Sequence, residues 1–277
     1  MSTLQAIVLA IIQGLTEFLP VSSSGHLILG SWLFDWPDQG LVFDGAVHLG
    51  TLGAVLIYFR ATWISMGRGC FSGDVVRLGD ASADQSISAI RLLWLLVLAS
   101  VPLAIFGVIF KSTLEDHLRS PEAVGAFLLA TSAMLIFAEY VGNRSRSITS
   151  VGVKDSIIIG IAQALAVIPG VSRSGTTIAA GMAANMDRDS AARLSFLMAV
   201  PALGGSGLYV IVDALTNSAM ERADWSQVVL GAVIAFITGY LAIGGFLHVL
   251  TKASLKPFIA YTALAGVGVL IARAAGV

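Results

Sequence analysis

Charged side chains are scarce in this chain. Asp, Glu, Lys and Arg make up 12% of its 277 residues, against 56% hydrophobic ones, and the mean hydropathy is +0.86. A soluble domain carries about 25% charged residues. The chain therefore cannot cover itself with a hydrated surface and reads as an integral membrane protein. Cysteine is nearly missing as well: Cys70 stands alone, which excludes an intrachain disulfide and leaves the redox compartment open. Neither sign of charge dominates, the net being −1, and this argues against nucleic acid as a partner. The first residues, Met1 to Gln5, lack the basic stretch that opens a signal peptide, so the first apolar segment is expected in the mature fold. No low-complexity linker interrupts the chain, and a single integral membrane domain over 1–277 is expected.

What is abundant is apolar sequence of membrane length. A bilayer core of about 30 Å needs about 20 apolar residues in a helix. Six segments qualify, at about 43–60, 89–110, 122–141, 190–213, 226–249 and 257–275. Two further regions, about 4–34 and 153–186, each carry a short apolar half, a Pro/Ser/Gly break and a second short apolar piece. Neither half spans alone. A re-entrant helix–loop–helix fits best, since irregular backbone at depth is tolerated only where protein or a cavity shields it; one kinked spanning helix is the alternative. The mixed polar stretch at about 61–88 reads as a soluble cytoplasmic loop. The expected fold is thus an all-α polytopic membrane protein, with about six spans and two re-entrant segments.

The two breaks match each other. Laid over without a gap, Gln13/Gln163, Leu15/Leu165, Val21/Val171, Ser22/Ser172, Ser24/Ser174 and Gly25/Gly175 coincide. Three spans separate the two regions, so the second would enter from the opposite face. The halves, about 1–141 and 150–277, are expected to be inverted-topology repeats whose polar breaks meet near the midplane. Basic residues set the orientation. Arg60, Arg68, Arg77, Arg91, Arg144, Arg146, Lys154, Arg188, Arg193, Lys252 and Lys256 fall on one side; Lys111, Arg119, Arg222 and Arg273 fall on the other. The first group should be cytoplasmic, with both termini outside.

Glu17, His26 and Arg173 are the ionisable groups inside the breaks. Each costs about 2.5–3.5 kcal/mol at the centre of a lone helix, so each needs a partner or a water-filled cavity. Ser22, Ser23, Ser24 and Gly25, with Ser172, Ser174, Gly175, Thr176 and Thr177, add hydroxyls and backbone N–H groups just before a half-helix. Such an N-terminus favours an anion, phosphate above all, and an arginine fork suits phosphate oxygens. Capping explains one or two of these hydroxyls, not all of them. Carboxylate, imidazole and serines together form a kit for general base and nucleophile. Asp44, His48, Glu139, Asp213 and His248 lie near expected helix ends and are read as interfacial or capping groups rather than catalytic ones.

At these residues the chain resembles the bacitracin-resistance family of undecaprenyl-diphosphate phosphatases. Gln13-Gly-Leu-Thr-Glu17, followed by the Pro-Val-Ser-Ser-Ser-Gly-His run at 20–26, matches its first motif; Pro-Gly-Val-Ser-Arg-Ser-Gly-Thr-Thr at 169–177 matches its second. The likeness includes the Phe-Leu-Met-Ala-Val-Pro run at 196–201 and the Pro-Phe-Ile-Ala-Tyr run at 257–261. Gln13 stands where many members have Glu, so the acidic role falls on Glu17. The resemblance implies hydrolysis of undecaprenyl diphosphate in the bacterial cytoplasmic membrane and a polyprenyl diphosphate lipid as partner. It also implies a divalent cation (Mg2+ or Ca2+), with Glu17 as its ligand. In the resulting assignment Glu17, Ser23, His26 and Arg173 are catalytic, with Ser23 or His26 as nucleophile. Gln13, Ser22, Ser172, Ser174, Gly175 and Thr177 bind substrate, and the site faces outside. A homodimer is considered beside a monomer.

The rival from another class is a lipid-phosphate or anion transporter, with Glu17 and His26 as a proton relay. The type 2 phosphatidic acid phosphatases, suggested by Ser-Gly-His at 24–26, are excluded: no Arg-Pro occurs anywhere, and position 179, where their second His would fall, is Ala.

Overall fold

The structure, a computed structural model, describes residues 1–78, 86–216, 224–250 and 253–276, and their side chains apart from those of 111–117. Arg222 and Lys252, and the side chain of Lys111, all used for orientation, lie outside that description. The described residues form α1 (Thr3–Phe18), α2 (Ser23–Leu33), α3 (Leu41–Tyr58), α4 (Arg60–Ser72), α5 (Ala89–His117) and α6 (Pro121–Tyr140). They continue with α7 (Val153–Ala164), α8 (Arg173–Ala183), α9 (Arg188–Thr216), α10 (Trp225–Leu250) and α11 (Lys256–Ala274). Helices α3, α5, α6, α9, α10 and α11 are long and apolar enough to cross a membrane. The protein is an all-α multi-pass membrane protein.

Local chemistry sets the helix ends. Ser2 caps α1 by accepting from the Gln5 N–H, and Pro20 stands just past its end, where its ring disfavours helical backbone at Leu19. Ser120 caps α6, with Pro121 at its first position, where a proline costs no hydrogen bond. At about 1.5 Å per residue, the 16 residues of α1 and the 12 of α7 fall short of a hydrocarbon core.

The segment expected as a loop at 61–88 is more ordered than its composition suggests. It carries α4 and a small antiparallel hairpin, β1 (Val75–Arg77) with β2 (Ser86–Ser88); residues 79–85 between the strands lie outside the described set. The physical reason is a few apolar anchors among polar neighbours: Met66, Val76, Leu78 and Ile87 are buried in the main core cluster. Glu139, read as an interfacial group, is instead a buried tie. Its carboxylate accepts from Arg144 and Arg188 at 2.8 and 2.6 Å and from the Leu255 N–H at 2.7 Å, joining the ends of α6, α9 and α11.

The two motif segments share their architecture at an offset of 150 positions. Helix α2 covers 23–33 and α8 covers 173–183. The buried residues of α1 include Gln5, Ala6, Leu9, Ala10, Gln13 and Gly14; those of α7 are Asp155, Ser156, Ile159, Gly160, Gln163 and Ala164. Helix α1 packs on α10, and α7 packs on α5. The second contact depends on Gly160, where a Cβ would stand 2.6 Å from the Ala99 carbonyl oxygen of α5. Gly160→Ala is expected to destabilise the protein by about 1–3 kcal/mol through overpacking, read as a lowered midpoint of thermal unfolding in detergent.

Candidate active site

The two breaks meet. Helices α2 and α8 begin at one cavity of 170 Å³, lined by Glu17, Ser23, Ser24, His48, Ser172 and Arg173 on its polar side. Leu103, Ala202 and Leu203 form an apolar wall, next to Pro102 inside α5 and Pro201 inside α9. The first N–H groups of a helix have no partner within it, so two N-terminal ends bring partial positive charge to the same space.

Backbone at each break is held in place. Ser22 caps α2 by accepting from the Gly25 N–H, and Ser172 caps α8 by accepting from the Gly175 N–H. Thr131 of α6 accepts from the Ser172 N–H at 3.2 Å and donates to the Gly170 carbonyl at 3.3 Å. Gly170 has φ +94°, and a Cβ there would meet Phe127 and the Val124 carbonyl at 2.9 Å. Both the left-handed backbone and the lack of space demand glycine. Ser174 Oγ donates to the Leu19 carbonyl at 2.8 Å, tying one break to the other.

The charged centre is an ion pair between the breaks. Arg173 Nη2 donates to Glu17 Oε1 at 2.7 Å, with side-chain exposures of 12% and 5%. Its Nη1 donates to the Ser195 carbonyl at 3.1 Å. Glu17 Oε2 accepts from Ser23 Oγ at 2.6 Å and from Gln13 Nε2 at 2.8 Å. His48 Nε2 stands 3.9 Å from that same oxygen. Chemically, this is a hydroxyl on a carboxylate, beside a guanidinium and at two helix N-termini: a place where a serine can lose its proton next to a bound phosphate.

The site residues expected from sequence divide into two sets. Glu17, Ser23 and Arg173 are brought together, with Gln13 behind Glu17. The hydroxyls of Ser22 and Ser172 and the N–H of Gly175 are engaged in caps. Thr177 is buried; its hydroxyl donates to the Arg173 carbonyl at 2.8 Å and lies 2.7 Å from Ser195 Oγ, from which it can accept, so it holds Arg173 rather than lining the cavity. His26 turns to the far side of α2. Its Nδ1 donates to the Ser22 carbonyl at 2.8 Å, and its Nε2 accepts from Tyr261 Oη at 2.6 Å, leaving neither ring nitrogen for Ser23. Two participants were not singled out in the sequence, Thr131 and Ser195; the one signal either offered is that it is a polar residue inside an expected span. His48 was read there as interfacial, and it lines the cavity.

The chain matches the family described as "Bacitracin resistance protein BacA" over residues 6–268. It is 42% identical over 271 residues to undecaprenyl-diphosphatase 1 of Pseudoalteromonas translucida, covering 98% of both chains. It is 41% identical over 273 residues to an undecaprenyl-diphosphatase of Colwellia psychrerythraea, again covering 98% of both. A relative from Mycolicibacterium vanbaalenii, also an undecaprenyl-diphosphatase, is 40% identical over 279 residues, covering 100% of this chain and 99% of its own. The chain belongs to the BacA family.

Whether this BacA-family site suits a divalent cation is a question of donors. Among the described residues no group of three or more His, Cys, Asp and Glu is placed to hold a metal. A resident ion caged by the protein alone does not fit. An ion that brings most of its shell as phosphate and water oxygens, as Mg2+ does, does fit: Glu17 supplies a carboxylate, and Gln13 Oε1 beside it is buried with no hydrogen-bond partner.

The second tier of the BacA-family site is testable at Thr177. Thr177→Val keeps the shape and removes the hydroxyl that holds Ser195 and the Arg173 backbone. Stability should fall by about 1–3 kcal/mol, and KM for the diphosphate should rise more than kcat falls, measured by thermal unfolding and steady-state phosphate release.

Proposed function

We propose that this protein hydrolyses undecaprenyl diphosphate to undecaprenyl phosphate and phosphate in the bilayer. This recycles the lipid carrier of peptidoglycan synthesis and lowers bacitracin sensitivity when the enzyme is abundant. The observation that carries the reading is the 2.6 Å contact of Ser23 Oγ with Glu17 Oε2, next to the Arg173–Glu17 pair. An anion cavity with one apolar wall suits a diphosphate on a long isoprenoid tail.

The diphosphate competes with Glu17 for Arg173, whose fork clamps phosphate oxygens and stabilises charge on the group in transfer. The N–H groups that open α2 and α8 add to that field. Freed from the arginine, Glu17 accepts the Ser23 proton as Oγ attacks the terminal phosphorus. The bond from that phosphorus to the bridging oxygen breaks, and undecaprenyl phosphate leaves. Water then displaces the phosphate from Ser23, and the serine regains a proton. Glu17, rather than His26, is the base for Ser23 in this scheme, because both His26 nitrogens are engaged elsewhere. His26 with Tyr261 holds the first turn of α2 through the Ser22 carbonyl. Thr177 and Ser195 position Arg173. Glu17 and Gln13 Oε1 would hold a divalent cation bound with the diphosphate, which would supply positive charge against the phosphate oxygens.

The same reading places the chain in the cytoplasmic membrane with both termini and the cavity mouth outside. Helices α1–α2 and α7–α8 are re-entrant, within inverted repeats of about 1–141 and 150–277. The shared offset of the caps, and the packing of α1 on α10 and α7 on α5, support the repeat; the shortness of α1 and α7 supports re-entry. A homodimer is compatible with it.

The test is phosphate release from undecaprenyl diphosphate by detergent-purified protein. Ser23→Ala and Arg173→Ala should each lower kcat by about 100- to 1000-fold, and a chelator should stop the wild type. Near-full turnover by Ser23→Ala would move the nucleophile elsewhere. No release by folded wild type would favour a transporter, to be sought as flux in proteoliposomes. For orientation, Ser23→Cys should react with a membrane-impermeant thiol reagent from outside only; labelling confined to the cytoplasmic side would reverse the topology.

A further inference from the structure

Among the described residues His48 is the one histidine lining the cavity, and the proposed chemistry leaves it unused. It lies near the start of α3, one turn past Asp44, with 25% of its side chain exposed. Its Nδ1 is 2.6 Å from the Asp44 carbonyl oxygen. A carbonyl only accepts, so a proton sits on Nδ1, and in that tautomer the lone pair is on Nε2, which faces Glu17 in the cavity. A ring whose far N–H is fixed by a backbone carbonyl is the usual arrangement of a metal-binding histidine.

The donors around Nε2 converge. Glu17 Oε2 is 3.9 Å away, too far for a hydrogen bond. Two donors on one ion at about 2.1 Å stand roughly 3.0–3.4 Å apart, so a small side-chain rotation closes the gap. The same carboxylate oxygen is 2.6 Å from Ser23 Oγ and 2.8 Å from Gln13 Nε2. Gln13 is fully buried, and its Oε1 has no hydrogen-bond partner. Turning the amide over would put that oxygen at the place of the Gln13 Nε2 atom, 2.8 Å from the carboxylate oxygen, from which a slight retreat reaches ligand spacing. Arg173 pairs with the other oxygen, Oε1, so the guanidinium does not cover Oε2.

We propose that His48 Nε2 and Glu17 Oε2, with Gln13 Oε1, form the protein's half of the cation site, the rest coming from diphosphate and water. This rests on the phosphatase reading for the diphosphate, and it adds a ligand that reading does not use. The nitrogen sets the choice of metal. An all-oxygen shell suits Mg2+ and Ca2+, whereas imidazole draws a site toward transition ions such as Mn2+ and Zn2+. The carboxylate and the neutral amide oxygen give the protein a single formal negative charge here, which holds a hard cation weakly.

The test uses purified full-length protein with Mn2+ as probe and methylenediphosphonate in place of the substrate head group. Wild type should bind Mn2+ about tenfold or more tightly than Mg2+, and His48→Ala should abolish that difference. Spin-echo spectra of bound Mn2+ should carry the modulation of a directly bound imidazole nitrogen, kept in His26→Ala and lost in His48→Ala. If His48→Ala does not fold, His48→Gln, which keeps volume and an oxygen, must lose the modulation too. Unchanged affinity and modulation in both His48 variants would overturn the proposal, as would modulation lost only in His26→Ala. Phosphate release assayed in parallel separates the two readings. Wild type that binds Mn2+ through His48 but releases no phosphate keeps the metal site and removes the phosphatase. Active wild type without nitrogen modulation does the reverse.

Discussion

The polar centre of this molecule is organised around one buried ion pair. Glu17 closes α1 and Arg173 opens α8, and neither charge is tolerable alone at membrane depth. Together they neutralise each other, and their remaining valences are filled by Ser23, Gln13 and the Ser195 carbonyl. Breaking such a pair by removing one partner costs about 3–5 kcal/mol, because the other is stranded. That constraint fixes where α1 ends, how α2 and α8 begin, and which faces of α3, α6 and α9 are polar. In the proposed reaction the arginine exchanges this carboxylate for phosphate, and the freed carboxylate takes the Ser23 proton.

Most of the fold was legible in the sequence because the bilayer imposes a length. Five of the six expected spans agree with the helices to within about three residues, and α5 runs on past the expected end at 110 to His117; apolar runs must fill one thickness. The region 61–88 was not legible, because four apolar anchors among many polar residues carry no periodic signal. Within the site, the ionisable residues at the breaks stood out by cost alone. Their directions did not. Ser23 and His26 were read as parts of one catalytic kit, yet the turn of α2 sends them to opposite sides. His48 looked like an interfacial residue because its span packs against a break that sequence cannot place beside it. The roles within the hydroxyl cluster were not legible: Ser22 and Ser172 line the cavity and also cap helices, Thr177 holds backbone, and of these hydroxyls Ser23 touches the carboxylate.

The matched segments also differ where it matters. At the shared offset, Glu17 falls on Val167, Ser23 on Arg173 and His26 on Thr176. One segment supplies acid and hydroxyl, the other supplies the cation, and both keep the cap and the glycine. The scaffold is doubled while the chemistry is divided, so there is one centre where symmetry would allow two.

Division of the charges across the chain has a consequence in time. Arg173 follows Glu17 by 156 residues, which at about 5–20 residues per second is roughly 8 to 30 seconds of synthesis. Through that interval the nascent chain holds a carboxylate whose partner does not exist. The first motif segment must therefore wait in the translocation apparatus or at the interface, or enter as the protonated acid. Its final depth is settled only when the second segment emerges, so maturation of this protein should be all-or-none in its second half.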